Sequence, residues 1–354
     1  MASALKNRVP DQVCEHHQSF PRRYGWTCED GEHSAPFAVT NGAKQGYVLA
    51  PTLFGIVFAL MLQYAFRNLE AGVYLQVRSD GGVFNIRRFN AKTKVTERII
   101  REFLFPDDCA LFAHSLQELQ LVTDRFADAA KQFGLTISLK KTEILFQPIP
   151  GRRHSDTIRT IDDTPINSVK SFCYLGSEMS FDATLDKEIL RRIGKASTMF
   201  GNLAQRLWNN RDITLCTKVR VYEAVVISSL LYGSEAWTIY KRQVKKLDAF
   251  HMRCLRKICG ISWRDHVTNT EVLSRCNTTG IEARIMRNQL GWAGHLVRME
   301  DSRIPKAIFF GQLRDGRRKR GRPLLRYKDV IKRHLANTDI VTTSWENKAK
   351  DRAA

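Results

Sequence analysis

Residues 47–66, YVLAPTLFGIVFALMLQYAF, run for twenty positions without a charge. Length alone would let such a stretch cross a bilayer. Pro51 and Thr52 near its start and Gln63 near its end argue against a lipid-facing span, and no second comparable stretch exists. Pro51 suits the first turn of a soluble helix, where its missing N–H costs nothing. A helix apolar all round is equally one enclosed by protein. The expectation is a core helix and no membrane partner.

The residues after that helix set the fold class. Val73–Val77 and residues 83–86 are short β-prone pieces around Asp80-Gly81-Gly82, a turn signal. Residues 101–105 run into Pro106-Asp107-Asp108 and then into Cys109-Ala110-Leu111-Phe112. Two apolar segments joined by a tight acidic turn read as a β-hairpin. Leu119, Val122, Phe126, Ala129, Ala130 and Phe133 then recur at helical steps, and Gly134 stands where a helix would close. Residues 135–139 alternate as a strand would. Helix, hairpin, helix and strand in that order predict an α+β domain with a mainly antiparallel sheet.

From about Asp186 the pattern turns helical. Val219, Tyr222, Val226 and Leu230 form one apolar face; Val244, Leu247, Phe250, Cys254, Leu255 and Ile258 form another, closed by Gly260. A third helix covers residues 280–298, and the Gly-rich basic stretch 311–323 reads as a mobile loop.

Charge divides the chain the same way. Residues 1–150 hold 17 Lys+Arg against 15 Asp+Glu, whereas residues 151–354 hold 39 against 21. Within the second part, residues 241–354 carry 27 basic and 11 acidic side chains. With a formal net charge of +20, the chain calls for a polyanionic partner, and the C-terminal third is where that partner would be met.

Asp107-Asp108 is the pair most suggestive of chemistry. Like charges side by side repel, so an apolar hairpin gains nothing from both unless a cation lies between them. Carboxylate oxygens suit Mg²⁺. A solvated acidic turn is the plain alternative. Zinc is a weaker reading: neither Cys14, His16, His17 and Cys28 nor His251, Cys254 and Cys259 with Cys276 or His295 has a recognised ligand spacing. No signal-peptide pattern opens the chain, so reduced cysteines and a nuclear or cytoplasmic location, not secretion, are expected.

Five segments in order carry a family resemblance. They are Asn41-Gly42-Ala43-Lys44-Gln45-Gly46, Leu49-Ala50-Pro51-Thr52-Leu53-Phe54, Phe105-Pro106-Asp107-Asp108, residues 134–143 (GLTISLKKTE) and Tyr174-Leu175-Gly176-Ser177. With these the chain resembles the reverse transcriptases of LINE-type (non-LTR) retrotransposons. His251-Met252-Arg253-Cys254-Leu255-Arg256, residues 294–299 and Arg326-Tyr327-Lys328-Asp329 resemble that family's post-catalytic region.

The resemblance implies an RNA-directed DNA polymerase that binds RNA and DNA as template and primer. It implies that Asp107 and Asp108 hold Mg²⁺ and that Lys141 acts on the departing pyrophosphate. Lys44, Gln45 and Gly46 would line the template and nucleotide; Tyr174, Leu175 and Gly176 would grip the primer. The fold implied is a partial polymerase palm, an antiparallel sheet with helices, followed by a mainly helical thumb and a basic C-terminal region. The boundaries expected are a poorly ordered lead-in at 1–36, the palm at 37–180, the thumb at 181–335 and a tail at 336–354.

Three departures from the family matter. Its first catalytic motif, an aspartate on a strand upstream of the Asn-Gly-x-Lys-Gln-Gly element, has no counterpart in residues 1–40. The chain therefore reads as a C-terminal fragment, its nucleotidyl transfer impaired, with an open sheet edge and a bared apolar helix. A partner supplying the strand is an alternative. Pro106 replaces a small residue and Tyr47 a smaller one.

Arg317, Arg318, Lys319, Arg320 and Arg322 form the densest basic stretch. Arg320-Gly321-Arg322-Pro323 resembles an AT-hook. Phosphate contact and a nuclear localisation signal remain open for the same residues, as does a solvated loop. Trp237, Trp263 and Trp292 lie among basic helices, where core packing and base stacking compete. Beside the polymerase reading stands a second, a non-catalytic nucleic-acid-binding protein acting through its basic half.

Overall fold

The computed structural model describes residues 3–8, 48–91, 93–148, 159–315 and 324–351, the first of these as backbone only. In chain order the elements are β1 (Ser3–Arg8), α1 (Ala50–Phe66), β2 (Val73–Val77), β3 (Thr96–Ile100), β4 (Glu102–Phe105), β5 (Asp108–Ala113) and α2 (Leu116–Gln132). Then come β6 (Glu143–Phe146), β7 (Arg159–Ile161), β8 (Thr164–Val169), β9 (Ser171–Tyr174) and β10 (Ser177–Ser180). The remainder is helical apart from one short strand: α3 (Asp186–Asn202), α4 (Leu215–Val221), α5 (Ser228–Leu230), α6 (Lys241–Cys259), α7 (Asn269–Arg275), α8 (Ile281–Arg298), α9 (Ile304–Phe310), β11 (Gln312–Leu313), α10 (Tyr327–Asn337) and α11 (Trp345–Lys350). This is the α+β class expected. Two compact units result, residues 1–73 with 99–175 and residues 74–98 with 176–354.

In the first unit a six-stranded sheet runs β4-β5-β1-β6-β8-β7. It is antiparallel except where β6 pairs parallel to β8, Glu143 opposite Asn167. The lead-in expectation for residues 1–36 is corrected at its start: Ser3–Arg8 forms a strand at the centre of this sheet, antiparallel to both β5 and β6. The edge expected to stand open beside the acidic hairpin is thereby paired. Helix α2 begins with an N-cap, Ser115 Oγ accepting from the Glu118 N–H at 3.1 Å, and the Glu118 carboxylate accepts from the His114 N–H. It ends at Gly134, φ +72°, where the sequence put its close. Its apolar face, Leu119, Val122, Phe126 and Ala129, packs with Phe58, Met61 and Ala65 of α1 in one core.

The opposite face of α1 is uncovered. Leu53, Ile56, Leu60 and Tyr64 are each about half exposed. This is the bared apolar helix the sequence foretold. No helix among the described residues is long and apolar enough to cross a membrane.

Two strand expectations move. Residues 135–139 form no strand: 135–138 are irregular and 139 begins a turn. The ladder partner is β6, because the Lys141 and Thr142 N–H groups both turn back to the Ser138 carbonyl at 3.0 Å. Residues 83–86 form a turn leading into a 3₁₀ helix, Ile86–Asn90.

In the second unit the predicted helical faces are the core. Val219, Tyr222, Val226, Leu230, Leu247, Phe250, Cys254, Leu255 and Ile258 are all buried together. Residues 222–227 run in π-helical form between α4 and α5. A second core joins Val83, Leu296, Phe309, Phe310, Ile331 and Trp345. The Glu346 carboxylate accepts from the Val83 N–H at 2.6 Å, so the residues expected as a tail are packed. β11 pairs antiparallel with β2, Gln312 opposite Gln76.

Candidate catalytic hairpin and primer-grip turn

Phe105 pairs with Asp108 across the β4–β5 hairpin, which leaves Pro106 and Asp107 as a two-residue turn. Turns of that length match strand twist when the first central residue has positive φ. A proline ring holds φ near −65°. Pro106 is found at +23°, so the turn carries strain at the tip itself.

Asp107 is partly exposed, while Asp108, the first residue of β5, is 8% exposed. Behind it Cys109 is fully buried, and burial pushes its thiol far up. Across the hairpin, burial likewise raises the Glu102 carboxyl.

The structure brings Tyr174 to this tip. Its hydroxyl donates to the Phe103 carbonyl at 3.2 Å. Its pKa is pushed up to about 12 by burial first and then by Cys109 and the negative charge of Asp108. Lys6 of β1 stands opposite both Ala110 and Glu143, and Arg8 stands opposite Asp108. Lys141 lies in the turn that leads into β6, two residues before Glu143, with its N–H donating to the Ser138 carbonyl. It is exposed.

The rest of the Tyr174-Leu175-Gly176 segment is a turn with φ +47° at Leu175 and +79° at Gly176. Two successive positive φ values suit glycine at the second position. At Gly176 the chain enters the second unit, and this carbonyl accepts from Arg191 at 2.8 Å and from Arg192. Arg192 in turn pairs with Glu188 at 2.6 Å, both side chains almost fully buried. The Glu188 carboxylate also accepts from the Glu178 N–H at 2.7 Å. These three supporting residues were missed; the only signal for them was the Glu188–Arg192 spacing of four on a helix.

Lys44, Gln45 and Gly46 lie outside the described residues, as do Arg317, Arg318, Lys319, Arg320 and Arg322. No group of three metal-ligating side chains occurs among the described residues. The zinc reading of residues 251–276 has no support there. His251 Nδ1 is taken by the Tyr222 hydroxyl at 2.8 Å, and Cys259 and Cys276 lie against each other at 3.1 Å.

The sequence model of the family described as reverse transcriptase (RNA-dependent DNA polymerase) matches residues 11–179, just under half of the chain. That stretch contains both the acidic hairpin and the Tyr174-Leu175-Gly176 turn. Over that stretch the chain is similar to mobile-element reverse transcriptases. Among its relatives is an uncharacterized transposon-derived protein of Caenorhabditis elegans, 26% identical over 270 residues, which are 73% of this chain and 95% of that protein. Another is the RNA-directed DNA polymerase from mobile element jockey of Drosophila funebris, 23% identical over 254 residues. The match there takes in 68% of this chain but only 24% of the jockey polymerase.

A reverse transcriptase of this lineage works with a divalent metal. Asp107 and Asp108 fit one Mg²⁺, an ion commonly held by one or two carboxylates together with water and substrate phosphates. They do not fill a two-ion clamp, which needs a carboxylate from the neighbouring strand. The neighbouring strand is β1, and its sequence, Ser-Ala-Leu-Lys-Asn-Arg, has none.

Proposed function

We propose that this chain is a template–primer-binding protein descended from a LINE-type RNA-directed DNA polymerase, its Mg²⁺-dependent nucleotidyl transfer impaired. The observation that carries this reading is the hairpin tip. Adjacent aspartates stand there with Tyr174 nearby, on a sheet whose β1 strand brings no third carboxylate. Asp107 and Asp108 would hold Mg²⁺, which when bound neutralises phosphate charge as the bond to pyrophosphate breaks. Lys141 would meet the pyrophosphate and Tyr174 the primer end. The partners are RNA and DNA, and the place of action is the nucleus or cytoplasm.

A second reading, nucleic-acid binding without catalysis, draws on the charge asymmetry: the basic excess lies almost wholly beyond residue 150. Primer extension on RNA and DNA templates with Mg²⁺, beside Asp107→Asn/Asp108→Asn, decides between them. Weak extension lost in the double variant supports the impaired polymerase. Binding of template–primer with no extension in either protein supports the second reading.

A further inference from the structure

Helix α6 stops at Gly260, φ +67°, with the Ile261 N–H returning to the Arg256 carbonyl at 2.9 Å. This is the left-handed closure that glycine permits. The chain then enters a turn tied at every corner. The Ser262 N–H donates to the Asp265 carboxylate at 2.6 Å, and the Arg264 N–H donates to Ser262 Oγ at 3.2 Å. The Arg256 guanidinium donates to the Val267 carbonyl at 2.9 Å and to Asn269 Oδ1 at 2.8 Å. Cys259 and Cys276 touch across its neck.

At the tip of this turn Trp263 is 78% exposed. The other described tryptophans behave differently: Trp208, Trp237 and Trp345 are buried, and Trp292 is half-buried. A large aromatic held in water by a built turn is neither core packing nor chance fraying.

Cations stand in the turn and on the helix before it. Arg253 and Lys257 are exposed on the last two turns of α6, and the Arg264 guanidinium lies 5.6 Å from the indole ring centroid. Asp265, the carboxylate within the turn, accepts from the Ser262 N–H. An exposed π-face flanked by cations is the pairing that single-stranded nucleic acids meet: the ring takes a base, the cations take phosphates.

We propose that the Ser262–Asp265 turn is a stacking platform for an unpaired nucleobase, with Trp263 as the surface that the base covers and Arg253, Lys257 and Arg264 as its phosphate contacts. The inference rests on the nucleic-acid-binding reading above and deepens it. It places a specific contact outside the segment that matches the reverse-transcriptase model.

The test is binding of the full chain to a labelled dT₂₀ oligonucleotide and to the same length of abasic backbone, over a range of salt. Wild-type protein should prefer the base-bearing strand. Trp263→Ala should weaken dT₂₀ binding about ten-fold and remove that preference. It should leave the salt slope unchanged, while Trp263→Phe keeps most of the affinity. Arg253→Ala/Lys257→Ala should instead flatten the salt slope by roughly two phosphate contacts. Equal binding by Trp263→Ala and wild type overturns the platform and leaves the nucleic-acid reading standing. No binding by the wild type overturns both. A change in sedimentation without a change in dT₂₀ affinity assigns Trp263 to self-association and overturns the platform.

Discussion

The two compact units treat their chemistry in opposite ways. In the first, the acidic tip sits on a turn that forces a proline to φ +23°, and one face of α1 leaves Leu53, Ile56, Leu60 and Tyr64 in water. In the second, polar groups have been taken inside and paired. Gln289, fully buried, donates to the Ser234 and Trp237 carbonyls, both at 2.9 Å, and meets His334 Nε2 at 2.9 Å. Tyr222 meets His251, and Glu188 meets Arg192, in the same manner. A buried polar group without a partner costs a kilocalorie or more, so such pairs persist only where the surrounding structure is well determined. The unit with the acidic tip therefore couples a strained turn to an uncovered helix face, whereas the strongly basic unit encloses its Gln289, Tyr222 and Glu188 side chains in hydrogen-bonded sets.

The largest expected break in that contrast is Glu188→Ala. It strands Arg192 in the interior and frees the Glu178 N–H, so the second unit should lose about 3–5 kcal/mol. Hydrogen exchange read by mass spectrometry should show the loss in α3 and in the Gly176 turn. Undiminished protection there would mean that the pair contributes nothing to the unit's stability.

Acidification probes the same unit at another site. Burial first, and then the positive charge of Arg284, hold His251 down to about 4 from an ordinary value of 6.5. The folded state thus favours neutral imidazole, and the unfolded state binds the extra proton. Stability from this site is complete above pH 6.5 and is lost as pH falls toward 4, by about 3 kcal/mol in total. Urea unfolding followed by tryptophan fluorescence should show that slope, and His251→Gln should lack it.

For the first unit the expected effect has the opposite sign. Pro106→Gly restores a residue that adopts positive φ freely, and should stabilise the β4–β5 hairpin by about 1–2 kcal/mol. Slower exchange in Glu102–Ala113 is the readout, and faster exchange would show that the ring is accommodated without strain. The smallest effect belongs to the uncovered helix. Ile56→Gln with Leu60→Gln should change stability by no more than about 0.5 kcal/mol while reducing aggregation in light scattering. A loss of several kilocalories would mean that this face is covered in the folded chain.

The comparison also separates what could be read from residues alone. Helical periodicity gave α2, α6 and α8 to within a few residues, because burial on one face repeats every three to four positions whatever lies opposite. The hairpin around Asp107-Asp108 was legible for a similar local reason: turn length and turn chemistry lie within a few adjacent residues. The order of the acidic turn, GLTISLKKTE and Tyr-Leu-Gly was sufficient to indicate the lineage.

Other features depend on contacts distant in sequence. Residues 135–139 alternate like a strand, yet Ser138 captures the N–H groups that would begin a ladder and pairing starts only at Glu143. Ser3–Arg8 carries little apolar pattern, and its central place comes from the backbone groups of β5 and β6 on either side. The Glu188–Arg192 support for Gly176 required α3 to fold under a turn.

For the tryptophans, composition and charge left stacking and packing equally open. The difference between Trp263 and Trp237 lies in the Ser262–Asp265 turn, whose hydrogen bonds hold one indole in water while the other is 4% exposed. The sequence by itself determined the family resemblance, the main helices and the acidic tip, since each is written in local pattern. Tertiary structure alone decided which side chains share the tip, which strand neighbours it and which aromatic faces solvent, since those depend on backbone and side-chain partners remote in the chain.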